Sequence, residues 1–220
     1  MKIGIIGSSG GSALSAANEC IQKSGYEVEY SVVSDRECGL YQWAKENAKN
    51  YNLIEFTDNS LFSKSAKIFF EKSSCRKVML YYTRLITNDL FEAIPVWNIH
   101  PSLLPSFPGL HGVRDAIEAN VKIFGATLHR VDEGVDAGPI CSQVSSVLAE
   151  SFTLEQINRL SYIQKVWLSL CWFDLFVLGN SRMNYSFRYN GIDMLSSHSI
   201  KDKKLLHVFL GWLNDLECSV

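Results

Sequence analysis

Apolar residues in the first hundred positions switch repeatedly between strand and helix spacing. Residues 2–6 form a compact β-rich run that ends in Gly7-Ser8-Ser9-Gly10-Gly11-Ser12. Beyond it Leu14, Ala17 and Ile21 place an apolar stripe on a helix that lasts until Gly25. The same spacing predicts strands over 27–33, 52–56, 78–82 and 96–99, and helices over 40–48, 61–70 and 88–94. In the helix over 61–70, Leu61, Ala66, Phe69 and Phe70 are the residues available for burial. Strands alternating with helices predict an α/β chain, an open, mostly parallel, Rossmann-like sheet flanked by helices.

The second half changes character. Residues 125–131 and 140–148 alternate as sheet strands do, joined by the acidic, glycine-containing segment 132–138. From Thr153 onward Leu154, Ile157, Leu160, Ile163, Trp167, Leu170 and Phe173 recur at helical spacing. This predicts one long amphipathic helix, with Thr153 and Gln156 placed to cap it. Its apolar residues, including Trp172 and Phe176, suit either a core against a sheet or an interface between subunits, so monomer and homodimer both stay open. Residues 182–188 and 192–195, split by Asn190-Gly191, predict a hairpin, and 203–213 a terminal helix. With no internal repeat and no low-complexity linker, the expected division is a catalytic domain over 1–180 and a carboxy-terminal hairpin and helix over 181–220 packed on it.

A chain of 220 residues should bury roughly 70% of its extended surface, enough for a substantial core. The formal net charge of -2 provides no broad basic field, so no nucleic-acid partner is expected. A small anion remains compatible, because backbone amides can hold one phosphate without net positive charge. The six cysteines, at 20, 38, 75, 141, 171 and 218, are scattered. They read as reduced residues, neither a zinc cluster nor a redox pair. The opening apolar run is too short for a signal peptide and no stretch is long enough for a membrane span, so a cytoplasmic location is expected.

Chemistry concentrates in three places. The run Gly7-Ser8-Ser9-Gly10-Gly11 follows a strand and precedes a helix near Ser12, whose free amides favour an anion; a tight turn without a ligand is the alternative. Its spacing matches neither the dinucleotide fingerprint nor a nucleoside-triphosphate loop. Asn98 and His100 lie two apart at the end of a predicted strand, so both side chains leave one face, at the end where open parallel sheets bind ligands. Pro101, Pro105 and Pro108 stiffen the chain just beyond. The segment 132–138 offers a carboxylate, and Asp136, between small residues, is the one most easily brought against His100. His129, ending an alternating strand, either lines the site or packs within the sheet. No metal motif and no serine elbow accompany these residues. An amide, an imidazole and a carboxylate fit attack by an amine on a carbonyl, where charge develops on oxygen and a proton must leave nitrogen.

The segments 98–109, 125–131 and 136–140 together resemble the folate-dependent formyltransferases, and the resemblance runs through most of residues 2–147. It is greatest to the branch that formylates glycinamide ribonucleotide in purine synthesis. The resemblance implies that Asn98, His100 and Asp136 are catalytic and that His129 supports them. It also implies that Arg84, Leu85 and Ile86 line the folate pocket, with Asp132 and Val135 on a loop that closes over the same ring. The co-substrate implied is 10-formyltetrahydrofolate, with no metal. Gly10, Gly11 and Ser12 would hold the acceptor's phosphate, with Arg159 nearby. Three departures leave the acceptor open. Ala13 stands where the family has asparagine, Tyr81 where it has glycine, and Tyr162-Ile163 where it has a Glu-His pair. A sugar-nucleotide amine as acceptor, hydrolysis of formyltetrahydrofolate and a non-catalytic relative are the alternatives.

Overall fold

The structure, a computed structural model, describes residues 1–149, 151–181 and 184–218. It falls into two compact units. The first comprises Met1–Ser15, Glu27–Asn98 and His129–Pro139. The second comprises Ala16–Tyr26, Ile99–Leu128 and the chain from Ile140 onward.

In the first unit the strands β1 (Lys2–Gly7), β2 (Glu29–Ser34), β3 (Asn50–Leu53), β4 (Val78–Tyr81) and β5 (Val96–His100, its last two residues counted with the second unit) lie in the order β3-β2-β1-β4-β5. All of these pairings are parallel, with Ile5 beside Val32 on one side and Met79 on the other. The predicted parallel sheet is therefore present. The helices α2 (Gly39–Asn47), α3 (Asn59–Lys72) and α4 (Asn88–Phe91) connect its strands, while α1 (Ser12–Lys23) begins here and continues into the second unit. Ile6, Val33, Phe62, Ala66, Phe70, Val78 and Val96 form the core.

Two expectations shift. The third strand covers Asn50–Leu53 instead of 52–56, because its register is set by pairing with Ser31–Ser34 of β2. Phe56 is thereby released to pack against the core from a loop. Leu61 is 53% exposed. The helix starts earlier, capped by Asp58 accepting from Leu61 N, so its buried face is Phe62, Ser63, Ala66 and Phe70. Ala66 and Phe70 are buried as predicted and Phe69 packs against the core, while Phe62 takes the place of Leu61.

In the second unit β6 (Ile123–Arg130, its last two residues counted with the first unit), β7 (Ile140–Val147), β8 (Tyr185–Tyr189) and β9 (Ile192–Ser196) lie in the order β6-β7-β9-β8. The predicted hairpin is β8–β9, and β9 also pairs antiparallel with β7. Arg182 and Met183, at the start of the predicted strand, lie outside the described residues. A short helix α5 (Gly112–Glu118) was not anticipated; its seven residues carry too little periodicity to stand out from the glycine-rich segment before it. The long helix is α6 (Leu154–Trp172), and Thr153 and Gln156 form the expected capping box. It runs on into a π-helical turn, Phe173–Val177, and the chain ends in α7 (Lys203–Cys218).

Trp167, Leu170, Trp172 and Phe173 are buried within this chain, so their apolar surface is core. The Trp167 ring lies 4.6 Å from Phe187 and 5.0 Å from Phe209, and its Nε1 donates to Ser196 Oγ at 2.8 Å. Asp174 in the π-helical turn is fully buried. It accepts hydrogen bonds from Asn180 Nδ2 at 2.7 Å and from the backbone amides of Lys201 and Asp202 at 3.0 and 3.2 Å. Its Oδ2 lies 3.4 Å from Nε2 of the equally buried His198. None of the six cysteines forms a disulfide within the chain.

Candidate active site

Asn98, His129 and Asp136 meet in the first unit. Asn98 projects from β5, and its Nδ2 lies 3.3 Å from His129 Nε2 and 3.5 Å from Asp136 Oδ1. His129 is 2% exposed. Its Nδ1 lies 3.1 Å from the Arg130 carbonyl, which can only accept, so Nδ1 carries a proton and Nε2 faces the other two groups. With the ring neutral, Nε2 accepts from the Asn98 amide. With the ring protonated, Nε2–H faces the carboxylate at 3.4 Å. His129 therefore lines this constellation.

Asp136 reaches this place through a constrained loop. Its backbone is left-handed, with φ of 51°, a conformation that costs a non-glycine residue energy and persists only where surroundings enforce it. The Asp132 carboxylate accepts from Gly134 N at 3.0 Å and tightens the turn. Behind it, a Cβ on Gly138 would stand 1.9 Å from the Arg130 carbonyl oxygen. Only glycine fits there. Gly138→Ala is accordingly expected to displace the 132–138 loop and lower turnover at least tenfold. Kinetics at matched folded fraction check this, and unchanged turnover would contradict the constraint.

His100 is set by the second unit. Its Nε2 lies 2.7 Å from the Phe107 carbonyl and so donates to it. The segment after the strand curls back to supply that carbonyl. Ser102 Oγ donates to Ser106 O at 2.6 Å and to Phe107 O at 3.2 Å, and Phe107 itself is left-handed. Thr127 on β6 locks the same segment, donating to Ser102 O at 2.7 Å and accepting from Leu104 N at 3.0 Å. Gln143 on β7 donates to Leu104 O at 2.9 Å. A Cβ on Gly112 would approach His100 Nε2 to 2.8 Å, so a side chain there would push the ring. Thr127, Gln143, Gly112 and the Phe107 carbonyl were not singled out in the sequence. The alternating strand around Thr127 was the one available hint.

The glycine-rich loop ends as expected at the start of α1. Gly10 and Ser12 are exposed, while Gly11 is buried at a φ of 72°. Ser8 Oγ and Thr83 Oγ1 are hydrogen-bonded at 2.9 Å. The run 84–86 divides: Arg84 is half-exposed, Leu85 is 52% exposed and Ile86 belongs to the core. Val135 is 50% exposed on its loop. Arg159, on α6 in the second unit, donates from Nε to the Tyr189 hydroxyl at 3.2 Å.

One charged cluster stands out in the first unit. Asp35, whose side chain is fully buried, accepts from Arg36 Nε and Nη2 at 2.9 Å each and from Arg84 Nε at 2.8 Å. Burial pushes the Asp35 carboxyl up, and the hydrogen bonds and charges of Arg36 and Arg84 outweigh it, holding it below the ordinary carboxylate value. The Arg84 guanidinium lies 4.0 Å above the Phe56 ring. Among the described residues no cluster of histidine, cysteine and carboxylate side chains could hold a metal ion, and no helix is long and apolar enough to cross a membrane.

An amide, an imidazole and a carboxylate thus meet in the first unit, beside its parallel sheet. Residues 1–168 match the formyl transferase family model, and the chain belongs to that family. Among its relatives, the phosphoribosylglycinamide formyltransferase of Bacillus subtilis (strain 168) is 46% identical over 89 residues, 39% of this chain and 46% of that protein. The aligned region thus spans less than half the length of that relative. Solved structures match over more of the fold. Glycinamide ribonucleotide transformylase 1 from Symbiobacterium toebii has a TM-score of 0.75 at 27% identity, covering 86% of this chain and 91% of that one. Phosphoribosylglycinamide formyltransferase from Bacillus halodurans has a TM-score of 0.68 at 30% identity, covering 75% and 90%.

Proposed function

We propose that the protein transfers a formyl group from 10-formyltetrahydrofolate to the primary amine of a small phosphorylated acceptor, glycinamide ribonucleotide, in purine synthesis. The observation that carries this reading is the meeting of Asn98, His129 and Asp136 within 3.5 Å, on the strand that also bears His100. The names of the relatives point to the same acceptor. The residues present suit a reduced folate. Exposed Leu85 offers an apolar surface, and Arg84, held over Phe56, offers a cation to an anionic tail.

The reduced folate supplies the formyl carbon and the nitrogen that leaves it. Asn98 donates a hydrogen bond to the formyl oxygen, where negative charge develops as the acceptor nitrogen bonds to carbon. His100, anchored through Nε2–H to the Phe107 carbonyl, uses Nδ1. Protonated, it donates to the same oxygen and then gives its proton to the leaving nitrogen as the old carbon–nitrogen bond breaks. Asp136 takes up the proton lost by the amine. His129, fixed by its Nδ1–H bond, keeps Nε2 turned toward Asn98 and Asp136 and so holds both in place. Gly10, Gly11 and Ser12 offer backbone amides to the acceptor phosphate.

The test follows the absorbance of 10-formyltetrahydrofolate with the purified chain. Loss of the formyl group is expected only when glycinamide ribonucleotide is present. Deformylation without any amine would assign hydrolysis instead. A response to a sugar-nucleotide amine but not to glycinamide ribonucleotide would move the acceptor.

A further inference from the structure

We propose that Asp35 is a positioning residue for the folate pocket: its buried carboxylate fixes the guanidinium of Arg84 across the Phe56 ring and so sets the wall formed by residues 84–86. This rests on the reading of that wall as the folate site. Asp35 immediately follows β2, and Arg84 lies three residues beyond β4. These strands flank β1, so both residues stand at the carboxyl ends of parallel strands, where open sheets bind ligands.

Stability alone accounts poorly for the arrangement. An ion pair with a half-exposed arginine contributes little, while burying a carboxylate carries a desolvation cost. Here one fully buried carboxylate takes two half-exposed guanidiniums, Arg36 forked across both oxygens and Arg84 through Nε to Oδ2. Binding through Nε orients the guanidinium plane, which a lysine at the same place could not reproduce. Phe56 in turn packs at a tilt against Phe62, 6.2 Å away, and Phe62 stacks on Tyr82 at 5.1 Å. Arg84 is thus fixed from the side by charge and from below by aromatic surface, and its other face is left toward solvent.

The test is a steady-state comparison on the full chain, with 10-formyltetrahydrofolate and glycinamide ribonucleotide varied separately. Asp35→Asn retains the shape and removes the charge. It should raise the KM for the folate about tenfold, with kcat and the KM for the acceptor within about twofold. Arg84→Lys, which leaves Asp35 intact, should raise the same constant. The double variant Asp35→Asn/Arg84→Lys should be no worse than Arg84→Lys alone, since both changes remove one interaction. A lower melting temperature with the folate KM unchanged, a loss confined to kcat, or additive effects in the double variant would each overturn the positioning role while leaving formyl transfer standing. A wild-type chain that binds no reduced folate by calorimetry would overturn both.

Discussion

Asn98→Ala should melt within a few degrees of the wild type and lose about two to three orders of magnitude in kcat, the usual effect of removing one oxyanion donor. Asn98 is only partly buried, and its amide spends its hydrogen bonds on His129 and Asp136 rather than on core packing. His100→Ala should cost about 10²–10⁴, because it removes the proposed proton donor. Asp136→Ala should fall with them, since its carboxylate is the proposed proton acceptor. The three losses should be far from additive, because each variant disables one shared step. Single-turnover rates at saturating folate and acceptor, with melting curves alongside, make the comparison. A kcat within threefold of wild type for any of the three would remove that residue from the mechanism.

The largest stability effect is expected within the second unit, at Asp174. Its carboxylate accepts hydrogen bonds from Asn180, Lys201 N and Asp202 N and faces His198, and both Asp174 and His198 are fully buried. Asp174→Ala leaves these donors unanswered inside the unit and should cost about 3–5 kcal/mol, since each buried donor left unsatisfied costs about 1–3 kcal/mol. For a chain of this length that lowers Tm on the order of 10 °C. Burial pushes the Asp174 carboxyl up, but the hydrogen bonds from His198, Lys201 N, Asn180 and Asp202 N prevail and hold it below the ordinary value. A carboxyl depressed in the folded state contributes fully above its unfolded value of about 3.9, and the contribution is lost as pH falls through the folded one. The difference in Tm between wild type and Asp174→Ala should therefore be largest near neutrality and shrink below about pH 4. An equal Tm at pH 7 would show that the buried pair stabilises nothing.

The contrast between these regions explains what could be read in advance. The first unit was legible because each parallel strand is a short apolar run between helices, and the alternation survives local errors of one or two residues. The shift of β3 and the exchange of Leu61 for Phe62 on the buried face of α3 are such errors, set by strand register and by the Asp58 cap. Asn98 and His100 were legible because a two-residue spacing at a strand end places both side chains on one face whatever the neighbours do. The Asp35–Arg84 pair was not. Its partners are 49 positions apart, and nothing in either local segment announces the other. The Asp174–His198 pair was hidden for the same reason, since a single aspartate in an apolar helix reads as a surface interruption.

From the order of residues alone came the α/β class, the parallel sheet, the capped late helix and the choice of Asn98, His100 and Asp136, while His129 was left open between the site and the sheet. Those follow from periodicity, chain stiffness and side-chain chemistry, all of which act over a few neighbours. Tertiary structure decided which nitrogen of each imidazole is committed, how Gly138 lets the 132–138 loop close, and which carboxylates are buried against arginine or histidine. These depend on atoms brought within hydrogen-bond distance by separate elements, and such contacts exist only once the chain has packed.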